Sequence, residues 1–155
     1  KDRMNIEPLD FQSCGVAVLC GFLIGLERQI KGKPAGIRTS ILVCLGAYVF
    51  VAISGSFESD TSPSRVIGQV VSGIGFLGAG LILSKNGLVH GVTSAAIIWI
   101  LAAVGCLIGF EKVGAAISVT VLSLFVLVGV TALEKGFNKL KNGLHSDQKN
   151  IEDNE

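Results

Sequence analysis

The charged side chains with the clearest potential for chemistry lie in the stretch GLERQIKGKPAGIRTS, residues 25–40. Glu27 and Arg28 end one apolar segment and Arg38 begins the next. If these apolar segments span a membrane, an unpaired charge at their ends is costly. We therefore expect Glu27 to form a salt bridge with Arg38 or with Arg28. The alternative is that the arginines only extend to lipid headgroups and set the topology of the chain.

The other polar residues beside apolar segments give weaker signals. Lys31 and Lys33 in the same loop are best explained as lysines that extend to the headgroups. Arg65 precedes a later apolar segment, and Gln69 lies one helical turn deeper. Together with Glu27 and Arg38, these two residues are the candidates for lining a polar path.

Patterns typical of catalysis or metal binding do not occur in the sequence. The four cysteines lie within apolar runs, without a C-x-x-C pair or a nearby histidine, so we interpret them as small core residues. No Ser, His and acid set shares a face, and no group of carboxylates could supply the several oxygen ligands that magnesium needs. We predict no enzyme activity, no catalytic residues, no metal site and no cofactor.

Glycine is dense in one apolar segment, GIGFLGAG at residues 73–80. The G-x-G-x-x-G spacing lacks the preceding strand and the following acid of a dinucleotide site, so we exclude nucleotide binding. Helices in lipid associate by close contact through small residues. We predict a helix-packing or dimer face made of Gly68, Ser72, Gly73, Gly75, Gly78, Ala79 and Gly80.

Two further glycine pairs repeat the small-xxx-small pattern, Gly21 with Gly25 and Gly105 with Gly109. Such pairs favour a tight bundle within one chain or a dimer. For the glycine-rich segment both alternatives stay open. A third alternative is an unwound turn that exposes backbone carbonyls, as transporters have at their binding sites.

Five apolar segments must position these residues. Only 16% of the residues are charged and the mean hydropathy is +0.63, whereas soluble domains carry roughly 25% charge. A hydrocarbon core of roughly 30 Å requires about 18 or more apolar residues in a helix. A soluble fold with five such helices would leave too little polar surface. We predict an all-α integral membrane protein, a bundle of about five transmembrane helices at residues 9–26, 37–57, 66–83, 91–109 and 113–133.

Basic residues predict the orientation of these helices. Nine of the 13 Lys and Arg residues flank one set of helix ends. The positive-inside rule places that side in the cytoplasm, with the N-terminus outside and the C-terminus in the cytoplasm. For the cytoplasmic tail, residues 134–155, apolar spacing as far as Leu144 predicts either a helix at the lipid surface or a frayed helix end. Beyond His145 the polar, acidic sequence predicts disorder.

Three stretches carry a likeness to a known family: GFLIGLERQIKGKPAGIRTSILVCLGAYVF, RVIGQVVSGIGFLGAGLIL and HGVTSAAIIWILAAVGCLIG. In this order and spacing, over roughly residues 15–110, they resemble the MgtC/SapB family of bacterial membrane proteins. The resemblance implies as signature positions Glu27, Arg28, Gln29, Gly36, Arg38, Thr39, Arg65, Gln69, Gly73, Gly75, Phe76, Gly78, Gly80, Thr93 and Trp99.

Two departures from the family pattern stand out. The family motif usually has His after its Arg-Thr pair, whereas Ser40 stands there in this chain. Longer members also carry a soluble C-terminal domain, so this chain looks like the short, membrane-only form. Met4 is its only methionine, which suggests that Lys1 to Arg3 are not native or belong to a truncated native start.

The resemblance implies a multi-pass protein of the bacterial inner membrane, linked to magnesium limitation, acidic surroundings and survival inside host cells. It implies a regulatory role, with the ATP synthase among the proposed targets. We predict a regulatory, partner-binding membrane protein that contacts the lipid bilayer, forms a homo-oligomer, with a dimer favoured, and binds no nucleic acid. The alternative is a small transporter or channel for an ion or small solute.

Overall fold

The computed structural model describes residues 9–55, 63–85 and 88–152. Within these ranges the chain forms five α-helices, as predicted. A short antiparallel hairpin of two strands, β1 and β2, connects the third helix to the fourth. The elements in chain order are α1 (Phe11–Ile30), α2 (Ile37–Ser54), α3 (Pro63–Gly80), β1 (Leu83–Lys85), β2 (Leu88–His90), α4 (Val92–Gly109) and α5 (Val113–Glu152).

Four helical segments of the described chain are long and apolar enough to cross a membrane. They are Phe11–Ile30, Ile37–Ser54, Val92–Gly109 and Val113–Thr131. The all-α membrane fold predicted from the sequence is therefore confirmed. α3 has 18 residues but does not belong to this group, because Arg65, Gln69 and its glycines lower its mean hydropathy. That α3 crosses the membrane stays a prediction.

Several predicted helix ends are wrong, and α1, for example, ends at Ile30 instead of at residue 26. α3 ends at Gly80 instead of continuing to residue 83, because the chain turns there into the hairpin, in which Ser84 pairs with Val89. α5 continues to Glu152, so the disorder predicted beyond His145 is not seen in residues 146–152. No proline interrupts that stretch, so nothing in its sequence forces the helix to stop.

The chain divides into two compact units, residues 1–121 and residues 122–155. The first unit contains α1 to α4, the hairpin and the beginning of α5. In the second unit α5 continues to its end at Glu152. The polar residues discussed below all belong to the first unit.

α2 forms the centre of the first unit and packs against α1 and α4. The contact with α1 is antiparallel and very close. A Cβ atom added at Gly21 would lie 2.7 Å from the Cα atom of Ile41, and one added at Gly25 would lie 2.7 Å from the Cα atom of Ile37. Only glycine allows the two backbones to approach this closely, so this predicted glycine pair packs within the chain.

The second glycine pair places α4 on another side of α2, parallel to it. A Cβ atom at Gly105 would overlap the backbone carbonyl of Cys44, and one at Gly109 would lie 2.6 Å from the Cβ atom of Val51. Around these contacts the core is apolar, with Ile98 and Leu101 of α4 fully buried. The free thiols of Cys20, Cys44 and Cys106 are buried in this core as predicted, and Cys14 is half-buried.

The start of α1 is fixed by Asp10. Its carboxylate accepts hydrogen bonds from the backbone N–H groups of Gln12 (3.3 Å) and Ser13 (3.0 Å) and from the Ser13 hydroxyl. These bonds stabilise the charged form and lower the pKa of Asp10 below its ordinary value of 3.8. The backbone N–H of Asp10 also donates to the Tyr48 hydroxyl (3.1 Å), which ties the beginning of α1 to α2.

Candidate functional site

Arg28 joins two helices that are distant in the sequence. It lies in the last turn of α1 and is only 3% exposed. Its Nη2 donates a hydrogen bond to the Oγ of Ser94, at 2.6 Å, in the first turn of α4. Ser94 is fully buried as well. A buried guanidinium with one short, charge-assisted bond connects the end of α1 to the start of α4.

Glu27 is the counter-ion of this buried arginine. Its side chain is 10% exposed, and its carboxylate lies 3.8 Å from Arg28 Nη1 and 2.6 Å from Lys31 Nζ. Both contacts are ion pairs without hydrogen-bond geometry. Neither carboxylate oxygen of Glu27, nor Nε of Arg28, has a hydrogen-bond partner among the described residues. We call Glu27, Arg28, Lys31 and Ser94 the corner cluster.

The salt bridges differ in part from the sequence prediction. The predicted contact of Glu27 with Arg28 is present, whereas Arg38 is exposed and no ion pair joins it to Glu27. Interpreting Lys31 as only a headgroup anchor is wrong, since α1 extends to Ile30 and brings Lys31 one turn past Glu27, on the same face. Lys33 is exposed.

Gln29 shapes the turn from α1 to α2. Its Oε1 accepts a hydrogen bond from the backbone N–H of Ile37 at 3.3 Å, and a Cβ atom at Gly36 would lie 3.1 Å from that same oxygen. Ala35 in this turn has a positive φ of 61°. Its carbonyl accepts a hydrogen bond from the hydroxyl of Ser40 at 3.2 Å. The turn is thus closed by side chains from both helices.

Ser40 is fully buried where α1 touches α2. A Cβ atom added at Gly25 would lie 2.9 Å from the Cβ of Ser40, so these two small residues meet directly. The position that usually carries His in the family motif is therefore, in this chain, a close helix contact. An imidazole does not fit there without separating α1 from α2.

Thr39, Arg65 and Gln69 do not belong to the corner cluster. They line a groove between α2 and α3 with a volume of about 1050 Å³. Ser54, at the end of α2, also lines this groove, whose walls are otherwise apolar side chains and glycines. The predicted cluster of charged and polar residues is thus divided between two places, the corner and the α2–α3 groove.

The glycine-rich segment has few close partners among the residues that the structure describes. A Cβ atom added at Gly68, Gly73, Gly75 or Gly80 would meet no atom within 4 Å. Gly78 is the exception, because its added Cβ would lie 3.7 Å from the carbonyl oxygen of Ala95 in α4. A stripe of exposed small residues on α3 points away from the groove. We call it the outer face of α3, and it is formed by Gly68, Ser72, Gly75 and Ala79.

The remaining signature positions lie on the surface of the described chain. Thr93 is exposed in the first turn of α4, Trp99 is half-exposed, and Phe76 on α3 is 83% exposed. Sequence reasoning missed Ser94, although a signal for it existed. A buried arginine needs an acceptor, and a serine beside the signature residue Thr93, at the start of an apolar helix, can supply one.

Within the part of the chain that the structure describes, no three His, Cys, Asp or Glu side chains come together as a metal site. Four apolar helices of spanning length, with a buried ion pair at one corner, define a multi-pass α-helical membrane protein. The family model of the MgtC family matches residues 14–136. The chain belongs to the MgtC family, and the resemblance noted in the sequence is confirmed.

Individual relatives agree with this assignment. The protein MgtC of Brucella abortus (strain 2308) is 47% identical over 110 residues, which cover 71% of this chain and 46% of that protein. YhiD of Escherichia coli (strain K12), whose name provisionally describes it as a magnesium transporter, is 42% identical over 72% of this chain and 55% of its own length.

A third relative, the protein MgtC of Salmonella paratyphi A, is 38% identical over 87% of this chain and 58% of its own length. The chain therefore spans about half the length of the relatives that it matches. No solved structure matches it significantly.

Proposed function

We propose that this chain is a regulatory, partner-binding protein of the bacterial inner membrane. In this proposal the outer face of α3 binds a transmembrane helix of a second copy of the chain. The observation that carries the proposal is that this face is exposed and unpartnered, while the glycine pairs of α1 and α4 are each packed against α2. The proposal assigns the chain no catalytic residue.

Energetics support a partner for the outer face. Glycine inside a helix costs about 1 kcal/mol relative to alanine. At Gly21 and Gly105 that cost is offset by close backbone contact with α2. At Gly68 and Gly75 no contact with a described residue offsets it. Because helices in lipid gain free energy from close packing rather than from hiding apolar surface, a second helix on this face supplies the missing contact.

The test is a comparison of two leucine variants of the full chain in a mild detergent. Gly75→Leu places a bulky side chain on the outer face, and we expect it to weaken self-association at least tenfold. Gly73→Leu makes the same chemical change two residues away, but it projects into the α2–α3 groove, and we expect it to remain a dimer. Mass by light scattering, and energy transfer between labelled copies in bilayers, measure the result.

Equal mass and equal energy transfer for the wild type and Gly75→Leu would contradict the dimer face. Gly78→Leu is not a suitable probe, because Gly78 contacts Ala95 within the chain and its substitution disturbs α3 and α4 themselves. Capture of the chain from native membranes tests the wider regulatory role. The ATP synthase, which the resemblance suggests, is the specific target to look for there.

The link to low magnesium or acid stress is part of the same proposal and is supported by the resemblance. Deleting the gene should impair growth in low-magnesium or acidic medium, and the wild-type chain should restore it. The Gly75→Leu variant should restore it less well if the outer face is needed for regulation. Restoration to the wild-type level by Gly75→Leu would separate the stress phenotype from the dimer.

A transporter or channel is the second candidate, favoured by Glu27, a buried ionisable side chain that forms ion pairs with Arg28 and Lys31 at the end of an apolar helix. The name of the Escherichia coli relative YhiD also points to magnesium transport. Against it, the polar residues are divided between the corner and the groove instead of lining one path. Ion or proton flux into proteoliposomes that disappears in Glu27→Gln would support transport and displace our first proposal.

A further inference from the structure

We propose that the α2–α3 groove binds one anionic phospholipid, with an acyl chain between the two helices and the headgroup phosphate on Arg65. This site is independent of the outer face of α3, because the two lie on different sides of that helix. The shape of the groove, its apolar walls and the charge at one of its ends are the features that fit such a lipid.

The groove has the size of a small-molecule site. Its volume of about 1050 Å³ is slightly above the range of roughly 300–1,000 Å³ typical of ligand pockets. A partner helix lying along the 18 residues of α2 would be about 10 Å wide and would gain about 1.5 Å of length per residue. It would therefore occupy about 2,000 Å³. The groove is therefore too small to enclose a partner helix, and a flexible hydrocarbon chain is the better fit.

The groove is also apolar along its length. Gly46 of α2 and Gly73 of α3 widen it, since a Cβ atom added at either position would meet nothing within 4 Å. Val43, Val70 and Ile74 supply apolar walls. Water at this depth in a bilayer would find few hydrogen-bond partners, whereas an acyl chain gains dispersion contacts with both helices.

One end of the groove is suited to an anion. Ser54 at the end of α2 and Arg65 in the first turn of α3 line the same end, whereas Thr39 lies at the start of α2, at the other end. Arg65 is exposed, and the described residues provide it with no ion pair. A guanidinium can donate two parallel hydrogen bonds to a phosphate.

The position of Arg65 within α3 adds to this preference. The first turn of α3 contains no acidic residue, so nothing there offsets the positive end of the helix dipole. Gln69, one turn further into the groove, offers an amide for the ester region of a lipid. The hydroxyl of Ser54 already donates to the carbonyl of Val51 at 2.7 Å, so Arg65 is the principal headgroup contact.

The experiment measures lipid retained by the full chain in detergent, by native mass spectrometry. The added lipids are phosphatidylglycerol, phosphatidylcholine and diacylglycerol with identical acyl chains. We expect one phosphatidylglycerol to be retained preferentially, phosphatidylcholine less and diacylglycerol least. Arg65→Gln should weaken phosphatidylglycerol binding about tenfold, as the loss of a charge-assisted contact predicts. Gly73→Leu, which fills the groove, should weaken binding of all three lipids.

Two matched variants serve as controls. Arg38→Gln removes the same charge from an exposed arginine that does not line the groove, and Gly75→Leu places the same leucine on the outer face of α3. Both should retain phosphatidylglycerol as the wild type does. Because Gly75→Leu tests the dimer and Gly73→Leu tests the lipid site, failure of one proposal is distinguishable from failure of the other.

Three results would overturn the proposal. Equal retention of phosphatidylglycerol and diacylglycerol would show that no headgroup site exists. Unchanged retention in Gly73→Leu would show that the acyl chain lies elsewhere. Loss of the dimer in Gly73→Leu, with lipid retention unchanged, would show that a second copy occupies the groove instead.

Discussion

At the scale of single residues, Arg28 is the side chain on which the corner cluster depends. It is buried against Ser94 and paired with Glu27, so its removal leaves a buried carboxylate with Lys31 alone. We expect Arg28→Gln to lower the free energy of unfolding by about 3–5 kcal/mol, the usual loss when one partner of a buried ion pair is removed. Thermal unfolding in detergent measures the effect.

The control for this prediction is Arg38→Gln. Because Arg38 is exposed and not paired with Glu27, its loss should change stability by no more than about 0.5 kcal/mol. A melting temperature for Arg28→Gln close to that of Arg38→Gln would mean that the corner cluster does not hold α1 and α4 together.

Asp10 gives a prediction that depends on pH. Its pKa in the folded chain is below the ordinary value of 3.8, because the hydrogen bonds at the start of α1 favour the carboxylate. The stabilisation is therefore complete above that pH and is lost as the pH falls through the lower, folded-state pKa. We expect Asp10→Ala to melt at a lower temperature than the wild type at pH 6, and the difference should shrink in strongly acidic buffer.

Asp10→Asn is the matched variant, since asparagine also caps helices but does not titrate. At pH 6 its melting temperature should be close to that of the wild type. In acid it should keep the stabilisation that its side chain gives to the start of α1. A constant difference between the wild type and Asp10→Ala at all pH values would contradict the role of the carboxylate.

The charged residues of the site could be predicted from the sequence, whereas their partners could not. Glu27 and Arg28 stand out because acids and arginines are rare beside apolar helices. Ser94 is 66 residues from Arg28, and only the packing of α1 beside α4 brings them together. Arg38 is not the partner of Glu27. Because α1 continues to Ile30, Lys31 lies on the same helix face as Glu27, one turn later, and pairs with it.

At the scale of the helices, the glycine pairs decide which surfaces touch. We expect Gly21→Ala to destabilise the chain by about 1–3 kcal/mol, because its methyl group would lie 2.7 Å from the backbone of Ile41 and force the helices apart. Gly15→Ala is the matched control in the same helix. No described atom lies within 4 Å of its added methyl, so it should stabilise the chain by up to about 1 kcal/mol.

Thermal unfolding of the two variants under identical conditions decides this prediction. Stabilisation by both alanine substitutions would mean that α1 and α2 are further apart than the structure shows. Destabilisation by both would point to a general need for glycine in α1, without a specific contact at Gly21.

Small-xxx-small patterns could be read from the sequence, but their partners could not. The spacing of Gly21 with Gly25 is no different from that of other small pairs on α3. Only the fold shows that α2 packs on the first pair, whereas no described residue of the first unit lies within 4 Å of a Cβ atom added at Gly68 or Gly75. The sequence favoured bundle packing within the chain over a dimer face, and this difference in exposure is what supports the dimer.

At the scale of the whole molecule, the number of membrane crossings is the main open prediction. If α3 crosses as the other helices do, the loop at Lys33 and the turn at Glu111 lie on opposite sides of the membrane. Lys33→Cys should react from the cytoplasm and Glu111→Cys from outside, in a chain whose four native cysteines are replaced by alanine. Reaction of both cysteines from the same side would contradict five crossings.

Hydropathy predicted the helices because length and apolar content are local properties of the sequence. The hairpin between α3 and α4 escaped prediction, since Leu83 and Val89 extend an apolar pattern that a helix would also allow. The α2–α3 groove could not be predicted either. It depends on the distance between two helices, which is set by contacts that each of them makes elsewhere.

The attachment of α3 has a mechanical consequence. Of the α3 glycines, Gly78 near the C-terminal end meets Ala95 of α4, and just past that end Gly91 leaves no room beside the carbonyl of Leu81. Arg65 lies 13 residues away, about 20 Å along the helix at 1.5 Å per residue. Tilting α3 by about 10° around that anchored end would swing Arg65 through roughly 3 Å. A tilt around the end beside α4 would therefore move the Arg65 end of α3 more than any other part of the helix.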